Sequence, residues 1–389
     1  MKQPSSDNRS RLAVLAVFFT NGALLATWVS RIPAIQEKLS LSEGQLGLVL
    51  LGLSVGVLTA LAAAGGLSAR FGSPKVTIAG ALGLCITLPL LAMSPNPILL
   101  WIVLFAFGGA LSLMDVAMNE QAVLVERAAK KPLMSSFHGA FSIGGLVGAL
   151  MGAGMASEPG QSTLLHFLIA AVLFGGLTLI AYPNLMPVSH ENAEKGPVFR
   201  LPERALWGLG VVAFCSAISE GAMTDWSAVY LVQILKTDAG FAALGFAAFS
   251  LTMTLGRLTG DWLAKKITPV KIVQFGGLLA TLGLATVVST QTAGIALAGF
   301  AAIGLGLANI VPLSFSAAGN YPGIPAAAGI AGVATIGYAG FLAGPPLIGL
   351  VAEATSLRIG LGVVLVLAIL LIFTGRAVAI VNRGAQNTE

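Results

Sequence analysis

Charge is what this sequence has least of: only 10% of its 389 residues are Asp, Glu, Lys or Arg, against roughly 25% in soluble domains. So little charge leaves too little polar surface for a water-soluble chain of this length. Histidine and cysteine are scarcer still, at three and two residues. Both cysteines, Cys85 and Cys215, fall inside apolar runs, so no disulfide framework is indicated. No grouping of Cys, His and acids has metal-site spacing, and no glycine loop of the phosphate-cradling kind follows a strand-like run. These gaps argue against a metal-centred membrane hydrolase and an ATP-driven pump, and no cofactor is expected.

What the sequence does have is apolar length, with 56% hydrophobic residues and 48 glycines. A span needs about 20 predominantly apolar residues, and small residues let helices approach closely in lipid. Twelve segments qualify: 12–35, 43–69, 75–93, 98–125, 133–156 and 161–181, then 205–231, 240–264, 270–289, 293–316, 325–352 and 357–380. Breaks fall at Ser94-Pro95-Asn96-Pro97, Glu158-Pro159-Gly160 and Tyr321-Pro322-Gly323, where turn chemistry predicts them. The first run follows Lys2, Arg9 and Arg11 and reads as an uncleaved first helix rather than a signal peptide. The expected architecture is all-α and polytopic, with a six-helix bundle over 1–181, a cytoplasmic linker over 182–204 and a second bundle over 205–389. His190, Glu191, Glu194, Lys195, Arg200, Glu203 and Arg204 make the linker the longest polar stretch.

With both termini cytoplasmic, sixteen of the 21 basic residues fall on the cytoplasmic side. Only Arg31, Lys38, Lys236 and Arg358 fall outside, and Arg257 lies within a span. This is the asymmetry that orients multi-pass proteins in a membrane, here an inner membrane. It accounts for the formal charge of +5 without any nucleic-acid partner.

The two halves are related. Asn21-Gly22-Ala23-Leu24-Leu25-Ala26-Thr27-Trp28 echoes Glu220-Gly221-Ala222-Met223-Thr224-Asp225-Trp226, with Gly22 and Gly221 199 positions apart and Trp28 and Trp226 198 apart. His138 and Tyr338 are 200 apart, as are Gly144 and Gly344, in spans five and eleven. Two such parallel repeats are a transporter arrangement with a solute site near the bilayer midplane.

Over essentially its whole length the chain resembles the major facilitator superfamily. The loop Gly65-Gly66-Leu67-Ser68-Ala69-Arg70-Phe71-Gly72-Ser73-Pro74-Lys75 is similar to that superfamily's gating motif, with Ala69 where an aspartate is usual. A degenerate second copy runs from Gly256 to Lys266, in which Arg257 and Asp261 are four residues apart and positioned to pair on one helix face. Arg70, Arg257 and Asp261 are therefore the expected gating residues. Met114–Val123, Ser136-Phe137-His138-Gly139 and Glu220–Trp226 look most like the branch of inner membrane proteins typified by YbjJ, distantly related to the fucose permease group. The resemblance implies secondary active transport by alternating access, often proton-coupled, with spans one, four, seven and ten facing the cavity. On that geometry Asn21, Asp115, Glu220 and Asn309 would converge.

Carboxylates inside spans are costly and tend to face a bundle interior or a wet cavity. Glu220 lies about 21 Å along its helix from Leu206, and loss of hydration favours a carboxylate's neutral form. Glu220 is thus the leading proton carrier, with a packing hydrogen bond as its alternative role. Asp115 shares a stripe with Ser112 and Asn119 at three–four spacing and is the second proton-coupling candidate. Asp225, about 140° around the helix from Glu220, either joins the relay or, at the outer end, caps a neighbouring helix or pairs with Arg31. His138, at the start of span five, either lines a proton exit path or packs. Asn21, Trp28, Asn119, Trp226, Asn309 and Tyr338 are the expected solute contacts. The tryptophans could equally be interfacial anchors, and Asn309 with Pro312 either a hinge or a tolerated kink.

The expectation is a non-enzymatic, monomeric, proton-coupled symporter of a small polar, sugar-like solute, with protons and the bilayer as its other partners. A drug-efflux antiporter is the alternative. Against it, span four lacks the arginine that resemblance to drug antiporters would require, since no basic residue occurs from Ile98 to Glu126. Span five has Gly144-Gly145 where their motif usually has Gly-Pro, although Gly344-Pro345 appears in span eleven. A non-transporting receptor or scaffold has little loop surface to bind with.

Overall fold

The computed structural model describes residues 4–129, 133–157, 162–187, 202–324 and 326–383, and among these no strand occurs. Glu158-Pro159-Gly160, Lys130, Lys131 and most of the linker, including His190, Glu191, Glu194, Lys195 and Arg200, lie outside the described residues. Within them, fourteen α-helices account for twelve segments long and apolar enough to cross a membrane. They are α1 Pro4–Val29, α2 Ile32–Leu39, α3 Glu43–Phe71, α4 Ser73–Met93, α5 Pro97–Ala129, α6 Met134–Ser157 and α7 Thr163–Ala181. The second half holds α8 Trp207–Gln233, α9 Ala239–Lys266, α10 Pro269–Ser289, α11 Ala293–Leu307, α12 Ile310–Gly319, α13 Ala326–Ala354 and α14 Leu357–Thr374.

Two spans are interrupted, and proline explains both. Pro33 near the start of α2 has no N–H to give to the Val29 carbonyl, and Pro312 near the start of α12 has none for Ala308. Span one therefore breaks between α1 and α2 at Ser30-Arg31, and span ten between α11 and α12 at Ala308-Asn309. Elsewhere the helices start where side-chain oxygens cap them. Ser42 and Gln45 exchange hydrogen bonds of 3.1 and 3.3 Å at α3, a capping box. Asn96, Ser162, Asp238, Thr268 and Ser356 each accept a backbone N–H three residues on, as N-caps do.

The chain forms two compact units. Unit 1 comprises Met1–Leu41, Val49–Lys195 and Asp238–Ala247; unit 2 comprises Ser42–Leu48, Gly196–Thr237 and Ala248–Glu389. In unit 1, α1 packs on α6 and α4 on α5; in unit 2, α8 packs on α13 and α10 on α11. The first seam is built on glycine. A methyl group at Gly22 would overlap the Phe141 carbonyl, one at Gly144 that of Phe19, and one at Gly148 that of Ala23. Close approach through small residues is how helices associate where burial from water gives no driving force.

Three of the four basic residues expected outside are held by the protein. Lys38 Nζ donates to the Ala92 and Ser94 carbonyls at the end of α4, at 2.6 and 3.2 Å. Arg358 donates to the Val288 and Thr290 carbonyls at the end of α10, at 2.6 and 3.0 Å. Both satisfy carbonyls that a helix end leaves open. Arg31 is buried.

Candidate functional site

In unit 2 the site is built on α8. Glu220 stands amid a run of buried residues, Cys215 to Ser219 before it and Gly221 to Met223 after it, yet keeps a quarter of its own side-chain surface open. Its Oε1 lies 3.4 Å from Nη2 of Arg257 on α9, whose side chain is 41% exposed. The two charges compensate each other inside a membrane-spanning segment. Spacing along α9 points to Asp261 as a partner of Arg257 and cannot reveal one offered by a neighbouring helix, as Glu220 is. The Asp261 side chain lies outside the described residues.

Asn309 completes this part of the site. At the α11–α12 break its Nδ2 donates 3.0 Å to the Gly256 carbonyl, the residue before Arg257. A side chain at Gly260 would overlap Asn309 Oδ1, so glycine there is what admits the amide. Glu220 and Asn309 thus bond to consecutive residues of α9. Asp225 is half-buried on α8, and Tyr338 half-buried on α13. Trp226 is fully buried, with its indole N–H lacking an acceptor.

In unit 1, Asp115 is exposed on α5, and Asn119 Nδ2 donates to its backbone oxygen at 2.9 Å and its Oδ1 at 3.3 Å. Asp115 and Asn119, two members of the expected stripe, are therefore bonded to each other, while Ser112, the third, is buried. Asn21 and Trp28 on α1 are buried beneath packed neighbours, each with a side-chain donor lacking an acceptor. Neither Trp28 nor Trp226 is open to a solute in this conformation. His138 is exposed on α6, and its ring meets that of Phe18 edge-on at 5.2 Å. Arg70, at the exposed end of α3, lies over the Phe71 ring at 5.1 Å.

Two residues outside the expected set come together in unit 1. Sequence pattern alone places Arg31 on an external turn and leaves His166 within an apolar span. In the structure Arg31 Nε donates to His166 Nδ1 at 3.1 Å, both side chains buried. An ionisable residue within a span, Leu164-Leu165-His166-Phe167-Leu168, is the signal that could have found them.

A chain of twelve apolar spans in two related six-span halves, with charged side chains inside the spans, defines a multi-pass membrane transporter rather than an enzyme. The family model of the Major Facilitator Superfamily matches residues 12–338, and the protein belongs to that superfamily. It is 37% identical over 361 residues to an MFS-type transporter of Yersinia pestis, covering 93% of this chain and 94% of that one. It is also 33% identical over 349 residues to the membrane protein MosC of Rhizobium meliloti, covering 89% and 84%. Among solved structures, the fold matches the nucleoside transporter NupG with a TM-score of 0.75, 15% identity and coverage of 95% of this chain and 99% of that one. It matches the superfamily transporter FucP in the outward conformation with a TM-score of 0.63, 18% identity and coverage of 96% and 99%.

Proposed function

We propose that the protein is a proton-coupled symporter that takes up a small polar, sugar-like solute by alternating access, and that Glu220 carries the coupled proton. The observation that supports this most is the 3.4 Å pair between Glu220 and Arg257. Protonation of the Glu220 carboxylate cancels its charge and leaves Arg257 without a counter-ion. Arg257 must then find another acceptor, and its neighbour Gly256 is the residue that anchors Asn309 at the α11–α12 break. A proton on α8 is thereby tied to the interrupted span through two adjacent residues of α9. Arg257 acts as the switch of this device, with Asp261 and, in the first half, Arg70 as further gating residues.

Asp115, with Asn119 bonded to it, serves as a second proton site, and Asp225 and His138 as steps of the proton path. Asn21, Trp28, Asn119, Trp226 and Tyr338 contact the solute in conformations that open them, while Asn309, the other expected solute contact, acts through its bond to Gly256 at the α11–α12 break. The placement of Lys and Arg supports an inner-membrane protein with both termini cytoplasmic, and the monomer is taken as the working unit. The test starts with the purified protein: a thermal-shift screen of polar metabolites across pH identifies a solute. Uptake of that solute into proteoliposomes is then expected to require an inward proton gradient. Uptake indifferent to the gradient contradicts the reading.

A further inference from the structure

The buried polar atoms of unit 1 that lack a partner are one-sided. Apart from two hydroxyls, on Ser68 and Thr77, the set consists of nitrogen donors: Asn21 Nδ2, Trp28 Nε1, Arg31 Nη2 and His166 Nε2. Three of the four follow α1 into its break. Trp28 lies seven residues from Asn21, on the same face of the helix, and Arg31 follows three residues later at the α1–α2 interruption.

His166 adds the fourth from α7. Its Nδ1 accepts from Arg31 Nε at 3.1 Å, which puts the imidazole proton on Nε2, where it meets no acceptor. Arg31 is 4% exposed and His166 0%, so both free N–H groups lie away from the surface. Arg31 makes no ion pair among the described residues; the acid–base pair present there joins Glu220 and Arg257 instead. A buried guanidinium whose side-chain bond among the described residues is to a neutral imidazole is a positive charge awaiting an anion. Nothing in the repeat demands it. Counting from the matched tryptophans Trp28 and Trp226, the position equivalent to Arg31 is Val229, a buried apolar residue.

We infer that Arg31, oriented by its bond to His166, forms a carboxylate-binding site, and that the Trp28 indole three residues earlier adds a donor suited to a hydroxyl of the same acid. The solute class is then an acidic polyol or sugar acid rather than a neutral sugar. Arg31 Nη2 supplies a charge-assisted N–H to the carboxylate, His166 holds the guanidinium in place through Nε, and the Trp28 indole donates to an oxygen further along the ligand. The break at Ser30-Arg31 is where α1 and α2 can separate to admit it. This inference rests on the transporter reading of the chain but not on its proton coupling.

The test uses the full-length protein in detergent, with sodium gluconate as probe, sorbitol as its neutral six-carbon counterpart and sodium chloride to match ionic strength. Gluconate is expected to raise the melting midpoint of the wild type where sorbitol does not. Arg31→Gln is expected to weaken gluconate binding by about tenfold or more, while its own midpoint without ligand equals or exceeds that of the wild type because an uncompensated buried charge is gone. His166→Gln, whose amide oxygen can still accept from Arg31 Nε, is expected to keep part of the gluconate response. An equal gluconate shift in wild type and Arg31→Gln, or no shift in either, overturns the inference. So does a marked loss of midpoint in ligand-free Arg31→Gln with unchanged gluconate affinity, which marks Arg31 as a structural latch. No proton gradient enters these measurements, so their failure and a failure of gradient-driven uptake are distinguishable.

Discussion

Glu220 and Arg257 are separated by 37 residues of sequence and meet at 3.4 Å between α8 and α9. Each side chain is a counter-ion to the other within predominantly apolar membrane-spanning helices. Removing one is therefore expected to cost more than removing both. Glu220→Gln and Arg257→Gln should each lower the melting midpoint, and the double variant should recover part of the loss. The coupling is expected at about 0.5–1 kcal/mol, at the modest end because Arg257 is partly exposed. Fully additive losses would show that the two side chains do not interact.

The glycine seam between α1 and α6 predicts opposite effects for one substitution at two sites. Gly144→Ala places a methyl against the Phe19 backbone, a part of the structure that cannot rotate away, and should cost about 1–3 kcal/mol. Gly176→Ala, on α7 in open space, should be neutral or stabilising by up to about 1 kcal/mol through helix propensity. Melting midpoints of the two variants test the contrast.

Much of this was legible in the sequence because a bilayer imposes simple rules. Apolar length marks the twelve spans, and the recurrence of Trp28 as Trp226 and Gly144 as Gly344 reveals the duplication. The stripe of Ser112, Asp115 and Asn119 follows from helical spacing alone. Partnership between helices does not. Local spacing points Arg257 only to Asp261 on its own helix, and nothing in the sequence announces Glu220 on the neighbouring helix, which the structure sets 3.4 Å from it. Arg31 looks like a solvated turn residue, since nothing in its neighbourhood announces that His166, 135 positions away, accepts from it. The breaks in spans one and ten are visible as Pro33 and Pro312, but their positions, a few residues earlier, depend on which carbonyl each proline leaves without a donor.

Asn309 ties the α11–α12 break to Gly256. Asn309→Ala removes a hydrogen bond worth about 1 kcal/mol, and turnover is expected to change by roughly fivefold with solute affinity altered far less. Separate measurement of the maximal rate and the half-saturation concentration in the variant is the readout; a purely affinity-based effect would place Asn309 on the solute rather than at the break.

The proposed orientation predicts which turns face outward. In a background with Cys85 and Cys215 replaced by alanine, a cysteine substituted for Asn96 should react with a membrane-impermeant maleimide in intact cells. One substituted for Lys75 should not. The reverse pattern would invert the assignment of both termini.

Lys38 and Arg358 each close a helix end by donating to its carbonyls. Lys38→Met and Arg358→Met should each lower stability by about 1 kcal/mol, with no effect on solute affinity. Melting curves with and without solute separate the two.

Coupling itself is best tested by comparing accumulation with counterflow in Glu220→Gln proteoliposomes, since counterflow needs the bundle to alternate but needs no net movement of protons. Retained counterflow together with lost gradient-driven accumulation is the expected result. Accumulation as strongly driven by the proton gradient as in the wild type would remove Glu220 from the coupling role.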